Sequence, residues 1–160
     1  IREVAPDFHA RYSACDREYR YTIFRRRTAL CRNYSWYVRG ELHIGAMEHI
    51  AGHLIGEHDF TSFSKRSEDV EHYRCTIDHC DVLPEEDKVV IVIRANRFVR
   101  GMVRAIVGGL VEVGRGKMIE ERFLQLLHNP TEEDRAKYLA PAEGLVFWKV
   151  RYPEHFGLWE

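Results

Sequence analysis

The chain has 160 residues, of which 45% are hydrophobic and 31% are charged. These values are ordinary for a globular domain, and the length allows a core to form without disulfide or metal staples. The formal net charge is −1, so overall charge does not point to nucleic acid, and an RNA site would need local clustering of cations. No apolar run reaches the roughly 18 residues that a membrane span needs.

The sequence starts at Ile1 and contains neither a signal-peptide pattern nor a CxxC pair among its four cysteines. We therefore expect reduced thiols in a cytoplasmic protein with no membrane partner. We also expect that an upstream segment has been removed or left out.

The first third of the chain predicts two strands and a helix. Residues 18–24 (EYRYTIF) alternate apolar and polar side chains, as a half-buried strand does, and residues 33–38 (NYSWYV) predict a second strand. Between residues 43 and 55, apolar side chains recur at spacings of three and four, which predicts an amphipathic helix that ends at Gly56.

A hairpin is predicted in the middle of the chain. Residues 70–83 and 88–94 both read as strands, and Pro84 with the acidic residues 85–87 forms a turn signal between them. The second strand, KVVIVIR, is apolar on both faces, which is typical of a strand in the centre of a sheet.

Two further helices and a last strand complete the pattern. Apolar spacing predicts helices over residues 98–113 and 118–128, the latter ended by Pro130, and a strand over residues 145–152. Because strands and helices interleave irregularly, we predict an α+β fold over residues 1–160, a single domain with a mainly antiparallel sheet and helices packed on one face.

The densest positive region lies between residues 94 and 117. Only Glu112 opposes its six cations, which are Arg94, Arg97, Arg100, Arg104, Arg115 and Lys117. At spacings of three and four, Arg97, Arg100 and Arg104 would share one side of the predicted helix. Such a cluster fits either a phosphate site or a solvated helix face, and charge alone does not separate the two.

Arg104 is unusual because it lies within the apolar stretch GMVRAIVGGL. An unpaired buried guanidinium is costly, so this position calls for an anionic partner. The alternative is an arginine at the edge of the core whose head group reaches water.

Tyr19 and Tyr21 share one face of the first predicted strand, and we expect Arg17 and Arg20 on the other. Aromatic side chains on a sheet beside arginines are able to stack on bases. Tyrosines in strands also serve simply as packing.

Neither a metal site nor a phosphate-binding glycine loop is predicted. His49 and His53 have the four-residue spacing of zinc ligands, but Ile50 stands where an HExxH motif needs glutamate. Gly108 and Gly109 fit neither the Walker nor the dinucleotide-binding spacing, and we expect them to permit close packing of the helix.

Several segments resemble, in order, the tRNA pseudouridine synthase A family. They cover almost the whole chain, and they are FHARYSA (8–14), REYRYTI (17–23), LIGEHDFTSF (54–63), IRANRFVRGMVRAIVGGLVEVGRG (93–116) and APAEGLVFWKVRYPE (140–154). The resemblance implies the C-terminal half of the pseudouridine synthase fold. It also implies an isomerase that converts uridine to pseudouridine in the tRNA anticodon stem-loop, without metal or organic cofactor, and that acts as a homodimer.

The resemblance assigns roles to particular residues. Tyr19 corresponds to the tyrosine that stacks on the extruded base, and Arg104 to the arginine that pairs with the nucleophilic aspartate. Leu145 would line the base pocket, and Phe98 would pack beneath it. Weaker candidates for RNA contact are Arg97, Arg100, Arg25, Arg26 and Arg27.

One family feature is missing. The nucleophile lies in an R-T-D-A-G-x-H segment of the N-terminal half, and no aspartate of this chain follows Arg-Thr. We therefore predict a C-terminal fragment that is inactive alone and whose partners are tRNA and the absent N-terminal domain. The alternatives are a catalytically silent RNA-binding module and a metal-binding or structural protein.

Overall fold

In a computed structural model, residues 3–27 and 31–158 are described, and they form one sheet and three helices. The strands are β1 (Asp16–Phe24), β2 (Trp36–Tyr37), β3 (Gly56–Asp59), β4 (Arg74–Pro84), β5 (Lys88–Ala95) and β6 (Leu145–Arg151). The helices are α1 (Ile44–His53), α2 (Met102–Gly114) and α3 (Glu120–His128). Short 3₁₀ turns cover Thr61–Phe63, Ala142–Gly144 and Glu154–Phe156.

The sheet has the order β2-β1-β5-β4-β3, and β6 pairs with β1. Every pairing is antiparallel except the short β1–β2 contact. Since β5 occupies one edge of β1, both β6 and β2 lie along its other edge, β6 beside the first half of β1 and β2 beside its end. The strand that is apolar on both faces, β5, is central as predicted.

The helices and the sheet share one hydrophobic core. Tyr21 and Ile23 of β1 are fully buried, and Tyr21 is paired in register with the buried Ile91 of β5. Arg20 and Thr22, which alternate with them, are only partly buried, and Arg20 forms an ion pair with Glu18. This alternation confirms the α+β fold with helices on one face. No helix of the described ranges is long and apolar enough to cross a bilayer.

The predicted helix over residues 98–113 begins later than expected. Gly101 adopts a φ of +82°, a left-handed conformation that ends the preceding turn, and α2 starts at Met102. Arg97, Phe98 and Arg100 therefore lie in the connection from β5. The expectation that Arg97, Arg100 and Arg104 share one side of a helix is wrong.

Other boundaries also differ from the sequence prediction. The strand predicted over 33–38 is reduced to the two residues of β2, and β4 begins at Arg74 rather than at residue 70. The strand β3 was not predicted, because its four residues, GEHD, carry no alternating apolar pattern. The predicted hairpin is confirmed, with Pro84 paired to Val89 across the turn.

Two glycines of α2 lie where neighbouring groups leave no room for a side chain. A Cβ on Gly108 would lie 2.1 Å from the carbonyl oxygen of Tyr138, and one on Gly109 would lie 2.6 Å from the ring of Phe123. The expected role in close packing is confirmed. Gly108 in particular allows the backbone of the 138–140 segment to lie against α2.

Gly108→Ala is expected to destabilise the chain by about 1–3 kcal/mol, because the added methyl group meets backbone atoms that cannot move aside without shifting the segment. Urea unfolding followed by circular dichroism measures the change. Gly52→Ala is the matched control, since no atom lies within 4 Å of its added Cβ, and alanine is the better helix former. Equal stability of the two variants would contradict the proposed packing.

Candidate active site

A cavity of about 420 Å³ lies between β1, the connection before α2 and the start of β6. Its lining includes Tyr19, Phe98, Arg104 and Leu145. These are the four residues to which the resemblance assigned catalysis and base binding, although they come from separate parts of the sequence. We call this space the Tyr19 cavity.

Tyr19 forms an aromatic wall of the cavity. Its ring meets Phe98 edge-on with centroids 4.9 Å apart, and the ring centroid of Phe147 of β6 lies 5.2 Å away. Burial raises the pKa of the Tyr19 phenol, and the nearby Arg17 opposes that rise. The hydroxyl therefore keeps its proton at neutral pH, and the ring presents a fixed surface on which a planar ligand is able to stack.

Arg104 lies in the first turn of α2 and is held by a reciprocal pair of hydrogen bonds. Its Nε donates to the carbonyl oxygen of Ala140 at 2.6 Å, and the backbone N–H of Ala140 donates to the carbonyl oxygen of Arg104 at 3.0 Å. Within residues 3–27 and 31–158, no carboxylate lies within 4.0 Å of this guanidinium. The same ranges contain no buried side-chain nitrogen without a hydrogen-bond partner. The remaining N–H groups of Arg104 are therefore accessible from the cavity.

Tyr21 fixes the segment that leads from Ala140 into β6. Its hydroxyl donates to the carbonyl oxygen of Pro141 at 2.7 Å, and its ring lies so close to Gly144 that a Cβ there would be 2.6 Å away. Directly after this contact, Leu145 pairs with Tyr21 in the β1–β6 register. Tyr21 thus places Leu145 at the cavity, a role that the sequence did not reveal.

Lys65, which lines the Tyr19 cavity, and Phe147, whose ring lies against that of Tyr19, were not predicted as site residues. Lys65 lines the Tyr19 cavity, and its backbone N–H donates to the carbonyl oxygen of Arg100 at 2.8 Å. Phe147 reaches Tyr19 because the two residues are paired across the β1–β6 register. Phe147 could have been predicted, because residues two apart in a strand lie on the same face and Leu145 was already a candidate. The position of Lys65 at the cavity depends on a contact that is distant in sequence.

Arg97 and Arg100, the weaker RNA candidates, lie on either side of Phe98. Arg100 is exposed and lines the Tyr19 cavity, and Arg97 lines a separate, larger groove that also borders Tyr19. Arg17 lines this groove too, so the expectation that it lies on the face opposite Tyr19 is wrong. A two-residue period places residues 17 and 19 on the same face.

The structure does not bring Arg25, Arg26 and Arg27 to the cavity. They follow the far end of β1, where Arg25 donates to the carbonyl oxygens of Glu85 and Glu86 and Arg26 pairs with Asp87 at 2.5 Å. The guanidinium of Arg27 lies 5.5 Å from the ring centroid of Tyr37. These contacts connect β1 to the β4–β5 turn and to β2.

The basic cluster between residues 94 and 117 is also divided. Arg94 donates to Asp78, and Arg115 lies 3.5 Å from the buried carboxylate of Glu112. Two of the six cations thus serve local ion pairs and are not part of the cavity.

The histidine pair of α1 has a local partner. The rings of His49 and His53 are 5.0 Å apart, and His49 Nδ1 lies 2.5 Å from a carboxylate oxygen of Glu120 in α3. In the ranges that the structure covers, no three histidine, cysteine or acidic side chains are grouped as metal ligands. The pair contributes to the contact between α1 and α3.

Comparison with known proteins identifies the family. A family model described as tRNA pseudouridine synthase matches residues 50–153, which include Phe98, Arg104 and Leu145 of the Tyr19 cavity. The tRNA pseudouridine synthase A of Chlorobium limicola is 43% identical over 151 residues, and that of Bacteroides thetaiotaomicron is 41% identical over 159 residues. The chain belongs to the tRNA pseudouridine synthase family.

The match covers most of this chain but only part of its relatives. The alignments take in 93% and 96% of the chain, against 61% of the Chlorobium limicola protein and 58% of the Bacteroides thetaiotaomicron protein. The chain therefore spans about three fifths of the length of these curated relatives.

The buried phenol of Tyr21 predicts a loss of stability at alkaline pH. Burial raises its pKa above the usual value near 10, while Arg104 lowers it and Glu143 raises it further. Because the folded state then holds this proton more tightly than the unfolded state, the free energy of unfolding falls as pH rises above about 10. Tyr21→Phe should flatten this fall and should cost about 1–2 kcal/mol at pH 7 through the lost bond to Pro141.

Urea unfolding between pH 7 and pH 11 measures both effects. Burial also raises the pKa of Cys75 to about 11 and of Cys80 to about 12, but these thiols are present in both proteins and cancel in the difference. Tyr12→Phe, which alters an exposed tyrosine, is the control. The same alkaline slope with and without the Tyr21 hydroxyl would refute the assignment.

Proposed function

We propose that this chain is the C-terminal part of an enzyme that isomerises uridine to pseudouridine in the tRNA anticodon stem-loop. In this proposal the chain supplies the base pocket and a proton-handling tyrosine, and a segment outside it supplies the nucleophile. The names of the relatives support the reaction and the tRNA substrate. The observation that carries the proposal is the meeting of Tyr19, Leu145 and Arg104 at one cavity.

The reaction makes specific demands on such a cavity. The bond between N1 of uracil and C1′ of the ribose breaks, a bond between C5 and C1′ forms, N1 gains a proton and C5 loses one. Between these steps the base must rotate without leaving the site. The rings of Tyr19 and Phe98 and the side chain of Leu145 provide apolar walls that retain a planar base and limit access of water.

The surroundings of Arg104 support a nucleophile that is supplied from outside this chain. The guanidinium meets no carboxylate within 4.0 Å among the described residues, and it opens into a cavity whose lining contains no acidic residue. An aspartate that entered from a segment outside this chain would gain a charge-assisted hydrogen bond and hold the arginine in place. The chain has eight aspartates of its own, and none follows the Arg-Thr dipeptide of the family segment.

Tyr19 is assigned two tasks in this proposal, stacking on the uracil and transfer of the C5 proton. Burial raises the pKa of its phenol, which keeps the resting side chain neutral and able to donate a hydrogen bond. Proton abstraction from C5 would therefore need the phenolate to form within the complex. The charge of Arg17, which lowers this pKa, favours that step.

Local charge supports an RNA substrate despite the net charge of −1. Lys65 and Arg100 border the Tyr19 cavity, Arg97 lies just beyond Phe98, and none of the three has a carboxylate within 4.0 Å in the described ranges. Cations without acidic partners near a base pocket are available for phosphates. The homodimer implied by the resemblance and the cytoplasmic location expected from the cysteines belong to the same proposal.

Arg104→Ala is expected to lower turnover by at least about a hundredfold with a smaller effect on tRNA affinity, because the nucleophile loses its charged partner. The assay measures tritium release from C5-labelled uridine in tRNA by the chain joined to an upstream half that carries the Arg-Thr-Asp segment. Arg39→Ala, which removes an exposed arginine near β2, is the control.

Unchanged turnover of Arg104→Ala would refute the ion pair. The isolated chain is expected to release no tritium. If the joined protein binds tRNA but also releases none, the chain is a silent RNA-binding module.

Tyr19→Phe is expected to lower the rate of tritium release by roughly a hundredfold, within the range of general acid–base contributions, while binding of tRNA is retained. The substitution keeps the ring that packs on Phe98 and Phe147 and removes only the hydroxyl. Single-turnover assays at saturating enzyme separate the chemical step from binding. A fully active variant would leave stacking as the only role of this residue.

A further inference from the structure

A groove of about 830 Å³ lies beside the Tyr19 cavity. We call it the side groove. Tyr19 and Phe98 line both spaces, so the two are adjacent. The far wall of the side groove is the turn of residues 10–14, which ends in the exposed Arg11 and Tyr12.

The turn is held firmly by aromatic contacts at its base. Phe8 packs edge-on against Tyr152 and Phe156, with ring centroids 4.9 Å and 5.2 Å apart. The Tyr152 hydroxyl donates to the carbonyl oxygen of Ala10 at 2.8 Å. These contacts tie the turn to the residues that follow β6.

Hydrogen bonds fix the turn from its other side. The guanidinium of Arg17 donates to the carbonyl oxygens of Arg11, Ala14 and Asn96, the last at 2.6 Å. The turn is therefore attached both to β1 and to the end of β5. Its tip presents Tyr12, which is 74% exposed and whose ring centroid lies 4.5 Å from that of His9.

The charge and the aromatic content of the side groove define one kind of ligand. Arg11, Arg17 and Arg97 line it, no acidic residue does, and none of the three has a carboxylate within 4.0 Å in the described ranges. Phe147 is 53% exposed and stands beside Tyr19. Arginines interleaved with exposed aromatic rings are typical of surfaces that bind unpaired nucleotides.

We propose that the side groove binds the unpaired nucleotide next to the extruded uridine in the RNA strand. Its base stacks on Tyr12, and Arg11 and Arg97 contact the adjoining phosphates. Arg17 is a positioning residue, since its donors are occupied by the turn. The inference rests on the proposed function, because the neighbouring Tyr19 cavity is taken to hold the uridine.

The test measures binding of the chain to a short fluorescein-labelled single-stranded RNA that contains uridine, by fluorescence anisotropy over a range of salt concentrations. Tyr12→Ala is expected to weaken binding about tenfold through the lost stacking. Arg11→Gln should lower the slope of log affinity against log salt by about 0.7, the value for one phosphate contact on a single strand. Tyr34→Ala and Arg39→Gln, two exposed residues outside both cavities, should match the unsubstituted chain.

Unchanged affinity and salt slope in both groove variants would overturn the proposal. So would equal losses in the control variants, which would indicate nonspecific attraction. If Tyr12→Ala instead lowers the melting temperature of the joined protein and leaves RNA binding intact, the groove is covered by the upstream half and the inference fails.

Tritium release separates this inference from the proposed function. Groove variants should raise the tRNA concentration needed for half-maximal rate and leave the rate at saturation within about twofold, since they touch the flanking nucleotide and not the uridine. If the groove variants have no effect and Arg104→Ala is inactive, the proposal for the side groove is wrong and the proposed function stands. Weakened RNA binding by the groove variants of a joined protein that releases no tritium would retain the groove and remove the function.

Discussion

Reciprocal hydrogen bonds between Arg104 and Ala140 join the first turn of α2 to the segment that leads into β6. The close approach at Gly108 lets the backbone of that segment lie against the helix, and the hydroxyl of Tyr21 holds the carbonyl of Pro141 from the sheet side. With both ends fixed, β6 begins at Leu145 in register with β1. The Tyr19 cavity exists because this segment cannot move away from α2.

The same arrangement gives one arginine both a structural and an electrostatic role. Its Nε donates to the carbonyl oxygen of Ala140. A hydrogen bond from a charged donor contributes about 1.5–3 kcal/mol. The other donors of this arginine have no carboxylate in the described part of the chain and open into the cavity. A guanidinium pre-oriented in this way loses little conformational freedom when an anion arrives, so its geometry is ready before the nucleophile is present.

Sequence patterns predicted the local elements, and they failed for features that depend on contacts between residues distant in sequence. The apolar run of β5 predicted its central position in the sheet, which the strand order confirms. The apolar surroundings of Arg104 predicted an anionic partner. The start of α2 was missed because the positive φ of Gly101 depends on the chain around it. The side groove was missed because residues 10–14, 96–98 and 147–152 form it only after β6 has paired with β1. Periodicity carries no information on such contacts.

The distribution of charge explains how a chain with a net charge of −1 presents a surface suited to RNA. Four arginines that lie away from the two cavities, Arg26, Arg94, Arg122 and Arg151, pair with nearby aspartates. The cations that border the Tyr19 cavity and the side groove have no such partners within the described ranges, and they are Arg11, Arg17, Lys65, Arg97, Arg100 and Arg104. Because neither lining contains an acidic side chain, the two cavities present cations to a ligand although the net charge of the chain is negative.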